Sequence, residues 1–490
     1  MSPIRSHFIG GEWIEGAGEE FVSTDPATAE VIFEGRLATP EEVHTAVTAA
    51  INSFENWANK TTADRVAYLE TFRERLIAHK DDLSEAISLE TGKPLWESAT
   101  EVDAIIGKIG LSVQAYDQRC GIIKTELGPA AAVTRFKPHG PVAVFGPFNF
   151  PGHLPNGHIA PALLAGNTVI LKPSEQAPLV AQRMIELWRD AGLPNGVLNM
   201  VQGGRETGIA LSRDQRIAGL FFTGSAEVGK ALHAQFAGHP EKILALEMGG
   251  NNPLIVHDIS DFQAAAYLTV QSAFITAGQR CTCARRLIVP AGKEGDIFVR
   301  SLISMIGKIR VGKYSDRPEP FMGPVISEKM ADNLLNAQYE LRDRGGAILV
   351  EMKSLDGPGY FLSPGLLDVT KVSNRADEEL FGPLLQLIRV DNFDAAIREA
   401  NNTAFGLVAG LLSDNADLYK ELFRRIRAGV VNWNRQTTGA TGKMPFGGVG
   451  ISGNHRPSGY FAADYCAYPV ASLEMDRPVL PEVLTPGIDL

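Results

Sequence analysis

Apolar residues in the first hundred positions recur at helical spacing. Val43, Val47, Ile51 and Phe54 fall on one face, and Val66, Leu69, Phe72 and Leu76 on another. They predict two or three amphipathic helices, closed where Gly92 and Pro94 supply stop chemistry. From about residue 140 the rhythm changes to short apolar runs separated by helical stretches. Residues 142–145, 169–171, 198–201, 220–222 and 243–246 read as buried strands, with helices such as 179–191 and 228–236 between them. Strand–helix alternation predicts a parallel, doubly wound sheet, in which ligands sit beyond the carboxyl ends of the strands. A second α/β stretch runs from 254 to about 447. Its strands are expected at 287–290, 347–351 and 385–390, and its helices at 263–277 and 393–401. The tail from 471 carries Pro478, Pro481 and Pro486, which suit an extended arm.

Composition narrows the classes. A chain of 490 residues is too long for one ordinary core, so two or three domains are expected. Its 44% hydrophobic and 21% charged residues are the balance of a soluble globular protein. A formal charge of −11 disfavours nucleic acid and anionic membranes as partners. The first residues hold no apolar core of an export signal. The longest apolar run, 159–171, is broken by Gly166, Asn167 and Thr168, short of the roughly 18 residues of a membrane span. Four cysteines (Cys120, Cys281, Cys283 and Cys466) read as free thiols of a reducing cytoplasm. Neither they nor the ten histidines show metal-ligand spacing, so no metal is expected.

Two segments carry candidate chemistry. In Phe274-Ile-Thr-Ala-Gly-Gln-Arg-Cys281, an apolar helical stretch breaks at Gly278 and presents a thiol directly after. In Leu246-Glu247-Met-Gly-Gly-Asn-Asn-Pro253, a carboxylate ends an apolar strand ahead of paired glycines. Taken alone, the first is more often a small buried hydrophobe and the second a turn or cap carboxylate. Taken together, in this order and at this separation, they resemble the two signatures of the aldehyde dehydrogenase superfamily. Further matches cover nearly the whole chain: Gly146-Pro-Phe-Asn149, Lys172-Pro-Ser-Glu175, Phe222-Thr-Gly224-Ser225-Ala-Glu-Val-Gly229, Glu379-Leu-Phe381-Gly-Pro383 and Pro445-Phe-Gly-Gly448. Gly448-x-Gly450-x-x-Gly453 spells a dinucleotide fingerprint but follows no apolar strand, and reads as a structural turn.

The resemblance implies a doubly wound NAD-binding domain (1–118 and 139–249), an α/β catalytic domain (250–450) and bridging or oligomerisation segments (119–138 and 451–490). It implies Cys281 as nucleophile, Asn149 with the Cys281 N–H as oxyanion donors, and Glu247 as general base for thioester hydrolysis. NAD is the implied cofactor, held by Lys172 and Glu175 at the adenine ribose and by Gly224, Ser225, Ala226, Glu227, Val228 and Gly229 under the pyrophosphate. Glu379 and Phe381 would hold the nicotinamide ribose. Glu175 favours NAD over NADP, because a carboxylate accepts from the 2′-hydroxyl and repels a 2′-phosphate. Cys283 falls two residues beyond the signature position and is assigned to packing or redox protection. One departure stands out. Where most members carry an aromatic residue and then Lys, this chain has Gly157 and His158. His158, or water, would replace that Lys in a proton relay.

Within the family, four stretches (149–158, 201–208, 278–286 and 453–458) are most similar to members that oxidise a semialdehyde bearing two carboxylates in bacterial arginine catabolism. An anionic aldehyde needs cations near the thiol. Arg280 beside Cys281 and Arg435 in a loop at the substrate mouth are candidates, with His158, against the alternative of structural ion pairs. Rival readings are a dehydrogenase of glutamate or succinate semialdehyde, a CoA-acylating relative, and a cysteine hydrolase or retired binding protein. A homodimer or homotetramer is the implied assembly.

Overall fold

The computed structural model describes residues 6–488. The reading of residues 1–5 as free of an export signal lies outside them. Two seven-stranded sheets organise the chain. The first has the order Ile243–Met248, Gly219–Gly224, Pro141–Phe145, Thr168–Lys172, Leu198–Met200, His7–Ile9, Glu12–Ile14, its first five strands parallel and the last two forming an antiparallel edge. Each of the central runs is buried on both faces, as expected for strands covered by helices. The chain leaves Pro141–Phe145 in one direction to build two strands, then returns to place Gly219–Gly224 on its other side. That reversal opens a crevice at the carboxyl ends.

The second sheet has the order Ala347–Val350, Gly365–Asp368, Leu384–Val390, Ala284–Pro290, Asn252–Val256, Val408–Leu412, Val430–Trp433, parallel except at its first strand. Only Gly249, Gly250 and Asn251 separate the last strand of sheet one from Asn252–Val256. The carboxyl edge of the first sheet therefore opens onto the amino edge of the second. A third, antiparallel sheet joins Ile123–Leu127, Ala130–Pro138 and Ala467–Glu474.

The amino-terminal segment has more helix than its periodicity predicts. Pro40–Ala58, Thr62–Ala78 and Lys80–Thr91 are followed by a 25-residue helix, Leu95–Arg119. Thr39 and Glu42 close a capping box at the first of these. Its buried face is Val43, Ala46, Val47, Ala50 and Trp57, and Ile51, expected inside, is exposed. Gly92 ends the third helix in the left-handed conformation, while Pro94 stands at the N-cap of the fourth. The helix expected over 263–277 stops earlier, as Phe262–Ala273, and what replaces its last turn shapes the site. No helix among the described residues is long and apolar enough to cross a membrane.

Candidate active site

Glu247 lies at the end of Ile243–Met248, in register with Thr223 on the neighbouring strand. It is buried, and its Oε1 accepts the Ser458 N–H at 3.1 Å while Oε2 has no partner. Burial pushes its carboxyl well above the usual range, opposed by the Ser458 hydrogen bonds. The 448–453 turn braces this strand end. Gly453 bridges the Glu247 backbone, and the Asn454 side chain accepts from Leu246 N and donates to the Leu244 carbonyl. The decoy fingerprint is thus a short 3-10 turn, Gly450–Ser452, and not a cofactor loop.

The thiol arrives from the second sheet. Cys281 precedes Ala284–Pro290, so it stands at the amino end of its strand, whereas Glu247 stands at the carboxyl end of its own. Between Phe274 and Cys281 the chain makes a left-handed turn. Thr276 has φ 58° and ψ 31°, Ala277 φ 50° and ψ 37°, and Gly278 φ 71°. Glycine adopts this freely, and a Cβ at 278 would run into the Gly382 carbonyl. Threonine and alanine do not, at a cost of about 1–2 kcal/mol each. Side chains hold the turn from several sides. Arg285, fully buried, donates to the carbonyls of Gly278 at 2.6 Å and Arg280 at 2.9 Å. Asn252 Nδ2 donates to the Cys281 carbonyl at 2.6 Å and the Cys283 carbonyl at 2.9 Å. Gln279 Oε1 accepts from Ile326 N, and Asn149 Nδ2 donates to the Gln279 carbonyl at 2.9 Å.

Cys281 is partly exposed, and Cys283 is fully buried with Sγ against the Ile275 carbonyl. Desolvation, then the charges of Glu379 and Glu247, push the Cys281 thiol up to about 12. The thiol is therefore protonated at neutral pH and needs a base to become a nucleophile.

The cofactor candidates line the crevice of the first sheet. Gly219–Gly224 leads into the helix Ala226–Phe236, whose N-cap Ser225 accepts from Val228 N. Ser225, Glu227 and Val228 are exposed, so the first turn is open to an anion. Gly229 is where helix meets strand, and a Cβ there would run into the Met248 sulfur. Lys172 is buried, 2.9 Å from the Pro173 carbonyl and 3.5 Å from Glu175 Oε2, with Glu175 largely exposed. Glu379 reaches back to Gly249. Its Oε1 has no hydrogen bond, only Arg285 at 3.6 Å, and Phe381 packs edge-on against Phe148. An open helix start, a buried ammonium beside an exposed carboxylate, and a second carboxylate with a free oxygen fit a dinucleotide with two ribose diols.

The three proposed substrate contacts divide. Arg435 is exposed and makes no ion pair among the described residues. Arg280 is engaged, its Nη2 2.7 Å from Glu97 Oε1 and its Nε 2.7 Å from Thr276 Oγ1, with its guanidinium over the Phe150 ring. His158, expected among the anion contacts, is buried with both ring nitrogens occupied, at 2.7 Å from Tyr465 Oη and 3.1 Å from Thr223 Oγ1. Burial, and then Lys108, lower its pKa to about 3, so it is neutral and offers a carboxylate no charge. Its contact with Thr223, the register partner of Glu247, places it behind the site instead. Glu97, Asn252, Arg285 and Ser458 went unassigned in the sequence. Asn252 lies inside the glutamate segment, and Arg285 and Ser458 inside the similar stretches 278–286 and 453–458, whereas Glu97 carried no signal.

Residues 13–469 match the model of the aldehyde dehydrogenase family. The chain is 56% identical over 487 residues to N-succinylglutamate 5-semialdehyde dehydrogenase from Pseudomonas fluorescens (strain Pf0-1), covering 99% of this chain and 100% of that protein. A protein of the same name from Ectopseudomonas mendocina (strain ymp) matches with the same identity and coverage. HpcC from Thermus thermophilus superposes with a TM-score of 0.91 at 31% identity, over 99% of this chain and 95% of that one. Betaine aldehyde dehydrogenase from Staphylococcus aureus, solved in complex with NAD+, gives 0.90 at 27% identity, over 98% and 97%. The thiol turn and the carboxylate strand both lie inside the matched stretch, in the same architecture from end to end: the chain belongs to the aldehyde dehydrogenase family.

Proposed function

We propose that the protein is an NAD-dependent aldehyde dehydrogenase that oxidises N-succinyl-L-glutamate 5-semialdehyde to N-succinyl-L-glutamate, in arginine catabolism, through a thioester on Cys281. The observation that carries the chemistry is the turn bearing Cys281. It is bonded to Asn149 and feels the charge of Glu247. The 56% identity along the full length of two relatives so named supports the substrate.

Cys281 Sγ, partly exposed, gives up its proton to solvent water as it bonds to the aldehyde carbon, and the carbonyl oxygen becomes an oxyanion. Asn149 has a second amide hydrogen beyond the one given to Gln279, and with the Cys281 N–H it would donate to that oxygen. When bound, NAD supplies the acceptor for the aldehyde hydride. Lys172, Glu175, the 224–229 turn, Glu379 and Phe381 would hold it. Glu247 then takes a proton from water as the water oxygen attacks the thioester and the carbon–sulfur bond breaks. Asn149→Ala is expected to lower kcat by roughly a hundredfold, the scale of one oxyanion donor, with KM changed far less. A normal kcat in that variant removes Asn149 from the chemistry.

Arg435, exposed and without an ion pair among the described residues, is the candidate to meet a substrate carboxylate. Arg435→Met should raise KM about ten- to hundredfold for the doubly anionic substrate and little for an uncharged aldehyde of similar length. That is the scale of a charge-assisted contact of about 1.5–3 kcal/mol. The test of the whole reading is NADH formation from N-succinylglutamate 5-semialdehyde beside glutamate and succinate semialdehydes, with and without CoA. The first should have the highest kcat/KM, and CoA should not change it. A higher kcat/KM for a smaller semialdehyde overturns the substrate. Product without NADH would mark a hydrolase. All four cysteines are free, as suits the cytoplasm. Ile123, Leu127 and Leu473 are exposed on the three-stranded sheet, with Ile122 exposed just before it, which supports its assignment as the bridging surface of a homodimer or homotetramer.

A further inference from the structure

We infer that Glu97 and Arg280 are positioning residues that hold the left-handed nucleophile turn in its reactive shape, and that Arg280 does not read the substrate. This rests on Cys281 being the nucleophile.

Glu97 lies in the first turn of Leu95–Arg119, a position where a carboxylate is ordinarily solvated, yet it is fully buried. Its Oε1 takes both the Thr276 hydroxyl and Arg280 Nη2, and Arg280 Nε returns to Thr276 Oγ1. Three groups thus close a ring on one oxygen. The residue they grip is the β-branched one of the left-handed run, the hardest side chain to keep at positive φ. The strain sits five residues before the thiol, and its release would let 276–278 return toward the helix that the sequence favours. That relaxation would displace the Gln279 carbonyl, which anchors Asn149, and the Arg280 carbonyl, which Arg285 holds. The oxyanion donor and the thiol would then lose their mutual placement, while the part of the cofactor crevice built on the first sheet, around Lys172 and the 224–229 turn, would keep its shape. Arg280 meanwhile has its charge paired and its guanidinium lying on Phe150, beneath which Lys93 also packs. Little of it is left for a substrate carboxylate.

The pair is best removed together, since a lone buried charge destabilises more than the loss of both. In the full-length protein, Glu97→Met/Arg280→Met should bind NAD with unchanged affinity and lower kcat about tenfold or more. The loss should be equal for the anionic substrate and an uncharged aldehyde, with each KM within about threefold of the parent. Adding Thr276→Gly, which holds positive φ without a clamp, should recover most of the lost kcat. Should the double variant fail to fold, Glu97→Gln, which keeps an acceptor but not the charge, is measured in the same way and should show a smaller loss, again recovered by Thr276→Gly. A parental kcat, a loss that Thr276→Gly does not restore, or a loss confined to the anionic aldehyde overturns the assignment. If Cys281 were not the nucleophile, Cys281→Ala would leave turnover intact, whatever the Glu97 variants do.

Discussion

Cys281→Ala is expected to abolish NADH formation while leaving the fold and NAD binding in place, whereas Cys283→Ala should keep most of the activity. The two thiols are two residues apart, so the contrast isolates position and not chemistry. Cys281 is partly exposed, and the charges of Glu379 and Glu247 both bear on it. Cys283 is sealed beneath, its sulfur against the Ile275 carbonyl, where no aldehyde reaches. The expected loss at Cys281 exceeds that at any other residue, because no neighbouring group can form the covalent bond. Steady-state rates and a calorimetric NAD titration check it. A dead Cys283→Ala with an active Cys281→Ala would reverse the assignment.

Glu247→Gln should separate the reaction into halves. Steady turnover is expected to fall by roughly a thousandfold, within the usual span for a general base. A burst of NADH near one per active site should remain in a stopped-flow trace, since amide and carboxyl have nearly the same shape. The buried carboxyl is pushed well above its ordinary range, so in the parent enzyme the ionised, basic form grows as pH rises through that raised value. Turnover limited by hydrolysis should therefore rise with pH in the parent and stay flat in the variant. Loss of the burst as well would mean that Glu247 also takes the thiol proton, which a thiol pushed up to about 12 must give to some base.

Much of this fold was legible because its chemistry is local. Strands buried on both faces show as unbroken apolar runs, and 142–145, 169–171 and 220–222 each fall within an observed strand. The helix Leu95–Arg119 was obscured because it buries Glu97, Glu101 and Lys108, charged residues that break an apolar face and are satisfied by partners far along the chain. Glu101 accepts from the Gly152 and His153 N–H groups, and Lys108 donates to the Gly459 carbonyl, 351 residues away. At the site, the thiol and the carboxylate each stood in a recognisable segment. Most of the residues that hold them lie in or beside those segments, but their holding role did not show, because it is tertiary. Arg285, a charged residue with no role legible in the sequence, is fully buried and grips three carbonyls. Thr276 and Ala277 read as the end of a helix and adopt the opposite hand. His158 departs from the family pattern, but nothing in the sequence shows that Tyr465, 307 residues on, occupies its ring.

The central claim is an acyl group on one particular sulfur. Glu247→Gln mixed with NAD and N-succinylglutamate 5-semialdehyde, quenched in acid after the burst and digested, should yield a 281–283 peptide heavier by one N-succinylglutamyl group. Fragmentation should place it on Cys281, at close to one per chain. An NADH burst that leaves Cys281 unmodified, or an acyl group found on Cys283, would contradict the account.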